Sequence, residues 1–289
     1  MKVSHHPQAN IELHVHPFLG KNTLSDVVEA MRAKRLDVVA LESLDASLYP
    51  QVVEAAEKEN LLLSKDDAGI KLYGGGYILN AREYNTKERL HILTIGYALD
   101  EVDQETEIRR IIDKGLIAGA LVLMDHPYVD NCRTKTAGHI SSELEAELEK
   151  ICKEYSGQIA LEWNGYCIPW IRGGLKPILN LLGHETNYYN VNQQAEKLSE
   201  KLKIEGYNVP LIADTDLHAR SRNHLSLMGT ARIIADIEGE CAGEILASLR
   251  KNIFAGNYQN VKRYVPSSHL LGAFCIPILF PKNFKNPRA

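Results

Sequence analysis

The chain has 289 residues, of which 45% are hydrophobic and 7% aromatic. This apolar content suffices for one large domain or two small ones, and α/β barrels commonly reach this length as single domains. Lys and Arg together number 33 and Asp and Glu 37, which gives a formal net charge of -4. The near balance excludes a global electrostatic field that would draw the protein to nucleic acid or to an acidic membrane.

The cysteines are scattered and never form a C-x-x-C pair, which favours reduced, buried thiols over a zinc or redox motif. They are Cys132, Cys152, Cys167, Cys241 and Cys275. The segment Met1–Asn10 has no apolar core and no small-residue cleavage site, so a cytoplasmic location is expected. Further on, Leu270–Phe280 is strongly apolar, but it is short and contains Pro277, which predicts a packed tail rather than a membrane span.

Short apolar runs rich in Ile, Val and Leu alternate with segments of helical period. The predicted buried strands are Ile11–Val15, Val38–Leu41, Ala120–Met124, Ile159–Leu161 and Leu211–Ala213. The predicted helices are Leu24–Ala33, Ser141–Tyr155, Gln193–Glu205 and Ala242–Asn252, with Ser25 and Ser141 as early-turn or capping residues. Strands separated by helices indicate parallel pairing.

The segment Lys71–Ala98 departs from this alternation. Its strand-like stretches Leu72–Leu79 and Leu90–Ile95 flank a polar turn, which predicts a hairpin. No Pro/Gly/Ser-rich linker divides the chain, so a single domain over residues 1–289 is expected. Its motif-bearing core would cover about 11–220, with a C-terminal helix and tail at about 235–289.

Two clusters of ligand-type side chains follow predicted strands. His14 and His16 are two residues apart, so strand alternation places both imidazoles on one face. Asp214, Asp216 and His218 repeat this spacing at the end of another strand. Taken singly, the histidines could be a loop cap and an exposed residue, and the aspartates could form a helix cap or turn. Their recurrence at two strand ends favours a metal site.

Further polar residues follow other strands. His126 precedes Pro127 just beyond Ala120–Met124, while Glu162 and Asn164 share one face after the strand that begins at Ile159. Each is weak alone, since a His before Pro is often a loop residue and Glu162 could pair with an arginine. Because barrel enzymes build their sites at the carboxyl ends of the strands, the repetition predicts a site at a barrel mouth.

In order and placement, these residues resemble the motifs of the PHP (polymerase and histidinol phosphatase) family, over about residues 11–220. The matching residues are His14-Val15-His16, Glu83 before His91-Ile92-Leu93, His126-Pro127 and Asp216-Leu217-His218. The resemblance implies an α/β fold, a distorted TIM-like (β/α)7 barrel with seven strand-helix units. It also implies a cluster of divalent metals that hydrolyses phosphate esters.

Carried over by position, the resemblance implies two bound metal ions. The first would be held by His14, His16, Glu83 and Asp216, and the second by Glu83 as a bridge, His91 and His126. Glu88 lies in the same polar stretch and is an alternative to Glu83. Imidazole and carboxylate ligands without thiolate suit zinc, manganese or iron.

The sequence also departs from the family pattern. Positions that usually supply ligands to a third ion, shared with His218, are here Lys21 and Glu42-Ser43-Leu44. A leucine cannot bind a metal, so this third site would lose two ligands. We hypothesise that the Lys21 ammonium replaces the charge of the third ion. The alternative is a solvated lysine in an exposed loop.

The expected activity is that of a metal-dependent phosphoesterase. Two ions would activate a water molecule for attack on a small phosphate ester. His218 could protonate the leaving oxygen, and Arg220 and Arg222 could contact phosphate oxygens, or could simply be solvated. The charge balance and low aromatic content favour a small substrate over a polynucleotide, without excluding nucleic acid.

Two other functions remain open. A PHP-like barrel that lacks a full metal set could be a binding module, for example a subunit of an RNA-processing or regulatory complex. A metal-dependent amidohydrolase would also begin with H-x-H, although no metal-bridging lysine follows a predicted strand. The sequence does not reveal the oligomeric state.

Overall fold

The structure, a computed structural model, describes residues 8–18, 21–43, 47–99, 102–130, 138–167, 190–266 and 268. The strands within these ranges are β1 (Ala9–His16), β2 (Val38–Leu41), β3 (Leu62–Asp66), β4 (Gly69–Leu72), β5 (Tyr77–Asn85), β6 (His91–Ile95), β7 (Leu121–Asp125), β8 (Val129–Asp130), β9 (Gly138–His139), β10 (Ile159–Asn164), β11 (Leu211–Asp214), β12 (Leu217–His218), β13 (Arg232–Ala235) and β14 (Tyr258–Val261). The helices are α1 (Leu24–Lys34), α2 (Tyr49–Lys58), α3 (Ile108–Ala118), α4 (Ser142–Glu154), α5 (Val191–Ile204), α6 (Arg222–Leu225) and α7 (Ala242–Ala255).

Seven of the strands form a nearly closed, barrel-like sheet. They follow one another in the order β1, β2, β5, β6, β7, β10 and β11. Neighbouring strands are parallel except β6, which runs antiparallel to both β5 and β7. β11 returns to lie alongside β1 and β13. The predicted α/β architecture, a distorted TIM-like barrel of seven strands, is therefore confirmed.

The hairpin predicted within Lys71–Ala98 is formed by β5 and β6, but its first strand begins later than expected. Gly74, Gly75 and Gly76 have φ values of +83°, +96° and +92°. This left-handed backbone suits glycine, and it ends β4 before the chain turns into β5. The short connection between β5 and β6 has no room for a crossover helix, which is why this pair is antiparallel.

The barrel interior is filled by apolar side chains, and the helices cover its outer face. Inward residues from successive strands share one buried cluster that includes Leu13, Ala40, Ala81, Leu93, Leu123, Ala160 and Ile212. Helix α7 closes one end of this cluster with Ile245, Leu246 and Leu249. At that end a Cβ on Gly96 would lie 2.0 Å from Leu246 Cδ2, so only glycine permits this close approach.

The helix termini agree only in part with the sequence signals. α1 is capped by Thr23, which forms a capping box with Asp26, while the predicted capping candidate Ser25 lies in the first turn. Ser141 caps α4 as expected. The helices α2 and α3 were not predicted. None of the helices in the described part of the chain combines the length and the apolar character needed to cross a bilayer.

Of the five cysteines, three lie in the described ranges. Cys152 and Cys167 are buried, reduced thiols, as predicted, whereas Cys241 is partly exposed. Cys132, Cys275 and the apolar segment Leu270–Phe280 lie outside the described residues.

Candidate metal centre

Polar side chains gather at the end of the barrel opposite α7. Each of them continues the inward-facing positions of its strand beyond the apolar cluster. They are His14 and His16 of β1, Glu42 after β2, Glu83 of β5, Asp125 of β7, Glu162 and Asn164 of β10, and Asp214 of β11. His91 joins them from the first residue of β6, since this strand runs in the opposite direction. All nine side chains belong to buried residues.

A bulge in β1 directs its two histidines inward. Glu12 pairs with Val39 and Val15 with Leu41, so the β1 segment is one residue longer than the facing segment of β2. Leu13 can therefore lie in the interior cluster while the next residue, His14, also faces inward. The rings of His14 and His16 are 5.2 Å apart, as the H-x-H spacing predicts.

The first group of ligand-type atoms contains His14, His16, Glu42 and Glu83. Glu42 Oε1 contacts His16 Nδ1 and lies 3.4 Å from His14 Nε2. Glu83 Oε2 lies 3.5 Å from His16 Nε2. Two imidazoles and two carboxylates thus converge in a space that solvent barely reaches.

The second group contains Glu83, His91, Asp125 and His126. Glu83 Oε1 contacts His91 Nδ1 and lies 3.8 Å from His126 Nε2. Asp125, which stands opposite His91 in the β6–β7 ladder, places Oδ2 3.3 Å from His126 Nε2. The two oxygens of Glu83 therefore face different groups, which is the arrangement expected of a bridging carboxylate.

The third group, His16, Asp216 and His218, forms where β12 pairs in parallel with β1. Asp216 Oδ1 lies 3.5 Å from His16 Nε2 and 3.1 Å from His218 Nδ1. The same oxygen is 3.4 Å from His14 Nε2, which joins this group to the first. With 21% of its side chain exposed, His218 is the imidazole of these groups nearest to solvent.

The contacts of Glu83 and Glu88 show which of the two carboxylates lies among the candidate ligands. Glu88 Oε2 accepts a hydrogen bond from the Ile108 amide at the start of α3, 3.0 Å away. It therefore serves the terminus of a helix, while Glu83 lies within the cluster.

The donor set fits divalent cations. Within the described residues, seven buried side-chain atoms of the three groups have no hydrogen bond of standard geometry: His14 Nε2, both oxygens of Glu42, His91 Nδ1, both oxygens of Asp125 and Asp216 Oδ1. Buried carboxylate oxygens without donors are costly in a folded protein. A cation surrounded by these atoms would compensate that cost, and mixed imidazole and carboxylate ligands suit zinc, manganese or iron.

The pKa values of the clustered side chains are shifted because many charged groups lie close together. Burial lowers the pKa of His16, but the Glu42, Asp216 and Glu83 carboxylates together outweigh burial and raise this pKa to about 10. Burial raises the pKa of Glu83, but the charges of His91, His16 and His14 together hold it well below its usual value. Burial and the Glu162 charge raise the pKa of Asp125 well above its ordinary range. Burial and His91 lower the pKa of His126 to about 4, so this imidazole is neutral.

Two residues of the ligand-type groups were not among the ligands predicted from the sequence. Asp125 is absent from the predicted ligands, which include its neighbour His126, although Leu121, Leu123 and Asp125 follow the strand alternation. Glu42 was regarded as part of a lost third site, but it points between the two histidines of β1. A fourth group, of His14, Asp125 and Glu162, lies deeper in the cluster. Asp214 is fully buried and belongs to none of the four groups, and burial and Glu162 raise its pKa.

The remaining predicted residues lie around the mouth. Lys21 is exposed in the loop between β1 and α1, and Arg220 is half-buried just after β12. Arg222 forms an ion pair with Asp26 in the first turn of α1, so it has a structural role. Leu44 lies outside the described residues.

No family model and no curated protein matches the sequence. Solved structures share the fold. The lesion-specific endonuclease PfuEndoQ from Pyrococcus furiosus has a TM-score of 0.52 and 16% identity, over 88% of this chain and 58% of that one. An Endonuclease Q in complex with a 27-mer duplex carrying an abasic lesion has a TM-score of 0.50 and 15% identity, over 86% and 57%.

A two-domain protein from Bacteroides vulgatus, described as containing a PHP-like metal-dependent phosphoesterase, has a TM-score of 0.52. The identity is 14%, over 93% of this chain and 69% of that one. The comparison confirms the PHP-type barrel predicted from the sequence. The chain spans less than two thirds of the length of the two endonuclease structures.

Proposed function

We propose that the protein is a metal-dependent phosphoesterase that binds two divalent cations at the barrel mouth. The observation that carries this proposal is the position of Glu83, whose two oxygens face separate groups of imidazoles and carboxylates. The PHP-type fold supports it, since the Bacteroides vulgatus neighbour is described as containing a metal-dependent phosphoesterase. Such a barrel carries its chemistry at the mouth, where this cluster lies.

The ligands proposed from the sequence are extended here by Glu42 and Asp125. The first cation would be held by His14, His16, Glu42, Glu83 and Asp216, and the second by Glu83, His91, Asp125 and His126. Bound divalent cations would supply Lewis-acid polarisation of a phosphoryl group and would lower the pKa of a water molecule. The buried walls limit the access of bulk water, which strengthens the electrostatic interactions inside the site.

Three further side chains have proposed roles in catalysis. His218 is partly exposed at the rim, where it would donate a proton to the leaving oxygen of the phosphate ester. Lys21, in the neighbouring β1–α1 loop, would stabilise negative charge on the phosphoryl oxygens. Arg220, two residues beyond His218, would contact a phosphate oxygen of the bound substrate.

Two substrate classes are considered. The charge balance of the chain favours a small phosphate monoester. A phosphodiester in DNA is the second candidate, because two neighbours in fold are Endonuclease Q structures, one of them bound to a duplex with an abasic lesion.

The test compares an aryl phosphate monoester, a bis-aryl phosphodiester and a duplex with an abasic site, each with zinc, manganese or iron and with chelator. Hydrolysis of at least one substrate that depends on metal supports the proposal. Asp216→Asn should abolish it, whereas Asp236→Asn, an exposed aspartate at the end of β13, should leave it unchanged. Metal-independent hydrolysis, or activity that persists in Asp216→Asn, would contradict it.

A further inference from the structure

We propose that Glu162 and Asn164 of β10 are positioning residues, which hold His14, His126 and Asp216 in the orientation that binds metal. This inference rests on the proposed function, since it concerns the same metal centre. It assigns these two residues a role different from that of ligands. Both are fully buried below the mouth, at 1% and 0% exposure.

Both carboxylate oxygens of Glu162 accept hydrogen bonds from protein donors. Its Oε1 lies 2.7 Å from His14 Nδ1. Its Oε2 accepts hydrogen bonds from the His126 amide at 2.6 Å and from Asn164 Nδ2 at 3.0 Å. Glu42 Oε1 instead contacts His16 Nδ1, and Asp125 Oδ1 lies 3.3 Å from His14 Nδ1. Glu162 therefore has three protein donors, one on Oε1 and two on Oε2, while Glu42 and Asp125 face imidazole nitrogens of the candidate ligands.

The bond to His14 selects the atom that this imidazole offers to a metal. With Nδ1 protonated and donating to Glu162, the lone pair of the ring lies on Nε2. This nitrogen has no hydrogen-bond partner and lies 3.4 Å from both Glu42 Oε1 and Asp216 Oδ1. A carboxylate that accepts a hydrogen bond from the ring nitrogen that does not bind metal fixes the tautomer and orientation of the histidine and raises its basicity as a ligand.

Glu162 and Asn164 also stabilise two candidate ligand residues whose backbone is strained. His126 and Asp216 have φ values of +26° and +55°, in a region that non-glycine residues rarely adopt. Glu162 Oε2 holds the His126 amide, and Asn164 Nδ2 donates to Asp216 Oδ2 at 2.9 Å. The other oxygen of Asp216, Oδ1, is left to face His14, His16 and His218.

Asn164 is itself fixed by its surroundings. Its Oδ1 accepts from the Tyr166 amide at 2.8 Å, which sets the direction of its NH₂ group. Its backbone N–H and C=O both bond to the side chain of Asn192, at 3.0 and 2.8 Å. The end of β10 is therefore a rigid support from which Glu162 and Asn164 reach three separate ligand residues.

Glu162→Gln is the informative substitution. Glutamine has the same shape but one acceptor oxygen and one NH₂ donor, whereas all three partners of Glu162 are donors. In one orientation the glutamine NH₂ group faces the His126 amide and Asn164 Nδ2, which are both donors. In the other orientation it faces His14 Nδ1, and His14 must then change tautomer. Glu88→Gln is the matched control, because it makes the same substitution at a carboxylate that accepts from a backbone amide, that of Ile108, outside the cluster.

The experiment is a titration of each full-length, metal-free variant with Co²⁺, followed by its visible absorption and by far-UV circular dichroism. We expect Glu162→Gln to remain folded, to bind Co²⁺ about 10–100-fold more weakly and to show an altered absorption band. Glu88→Gln should keep the affinity and band of the wild type. If Glu162→Gln does not fold, Asn164→Ala tests the same claim through Asp216, with a changed band expected.

Folded Glu162→Gln protein with wild-type Co²⁺ affinity and absorption would overturn the positioning role, and so would Asn164→Ala with both unchanged. Failure of the wild-type protein itself to bind Co²⁺ is a different result, because it would overturn the proposed metal centre and this inference with it.

Discussion

His16 and His218 stand in register across the parallel pair of β1 and β12, with ring centroids 4.2 Å apart. A single carboxylate oxygen, Asp216 Oδ1, lies within 3.5 Å of a nitrogen of each ring. The first and last motifs of the chain are thus joined at the mouth, and the site depends on the closure of the barrel. His16 is buried, while His218 reaches solvent, which suits it to exchange protons with a substrate.

His218→Gln should slow catalysis more than it weakens metal binding. If His218 protonates the leaving oxygen, its loss lowers kcat by about 10²–10⁴-fold. Metal content should stay close to that of the wild type, because the ligands around Glu83 are intact. The measurement is kcat with a poor leaving group and with a good one, since a good leaving group needs little protonation. An equal loss with both would contradict the acid role.

Glu83→Gln should weaken binding of both cations, whereas His126→Gln should weaken binding of one. The reason is that Glu83 faces both groups, while His126 contacts only the second. Metal content per chain after dialysis, measured by elemental analysis, distinguishes the two patterns. If Glu83→Gln retains the wild-type metal content, the bridging role is wrong.

Glu88→Gln is the control for that experiment. Glu88 accepts from the Ile108 amide at the start of α3, so its substitution should cost about 0.5–1 kcal/mol of stability. Metal content and activity should not change. Thermal unfolding and elemental analysis of the same preparation measure both effects, and a loss of metal would show that Glu88 belongs to the site.

Metal affinity should increase with pH. Although burial lowers it, the Glu42, Asp216 and Glu83 carboxylates together raise the pKa of His16 from 6.5 to about 10, so this ring is protonated in the metal-free protein at neutral pH. Its contribution to the stability of the metal-free protein is complete below pH 6.5 and is lost as the pH rises through about 10. A metal must displace this proton, so affinity should rise by up to about tenfold per pH unit between pH 7 and 9.

Competition titrations with a chelator at pH 7, 8 and 9 measure this effect, with correction for the chelator's own protonation. The same titrations with His16→Gln should show a shallower dependence. An affinity that is independent of pH in the wild type would contradict the protonated state of His16.

Lys21→Ala should reduce kcat/KM at least about tenfold, or roughly 1.4 kcal/mol of transition-state stabilisation, if the ammonium replaces the charge of a third cation. Lys21→Arg should retain part of the activity because it keeps the charge. Steady-state kinetics with the preferred substrate tests both variants. Full activity of Lys21→Ala would show that Lys21 is only a solvated loop residue.

The alternation of side chains predicted much of the arrangement of the candidate site. His14 with His16, and Asp216 with His218, each lie on one face, and the strand-end rule placed these pairs at a common mouth. The order of these motifs also led to the correct barrel. Because the spacing within a strand is local, these relationships can be derived without knowing how distant strands meet.

Other features depend on long-range geometry that local patterns do not contain. The bulge in β1 allows Leu13 and His14 both to face inward, and simple alternation predicts the opposite. Glu42 joins the site because β2 lies beside β1, and Asp125 because it faces His91 across an antiparallel ladder. The β4–β5 boundary was misplaced since three consecutive glycines form a turn within an apolar stretch.

The most direct test of the account is the metal content of protein purified without added metal, determined by elemental analysis. The account predicts about two zinc, manganese or iron ions per chain, removable by chelator and regained on incubation. Protein that contains no such metal and regains none would contradict the central claim. The barrel would then be better explained as a non-catalytic binding module.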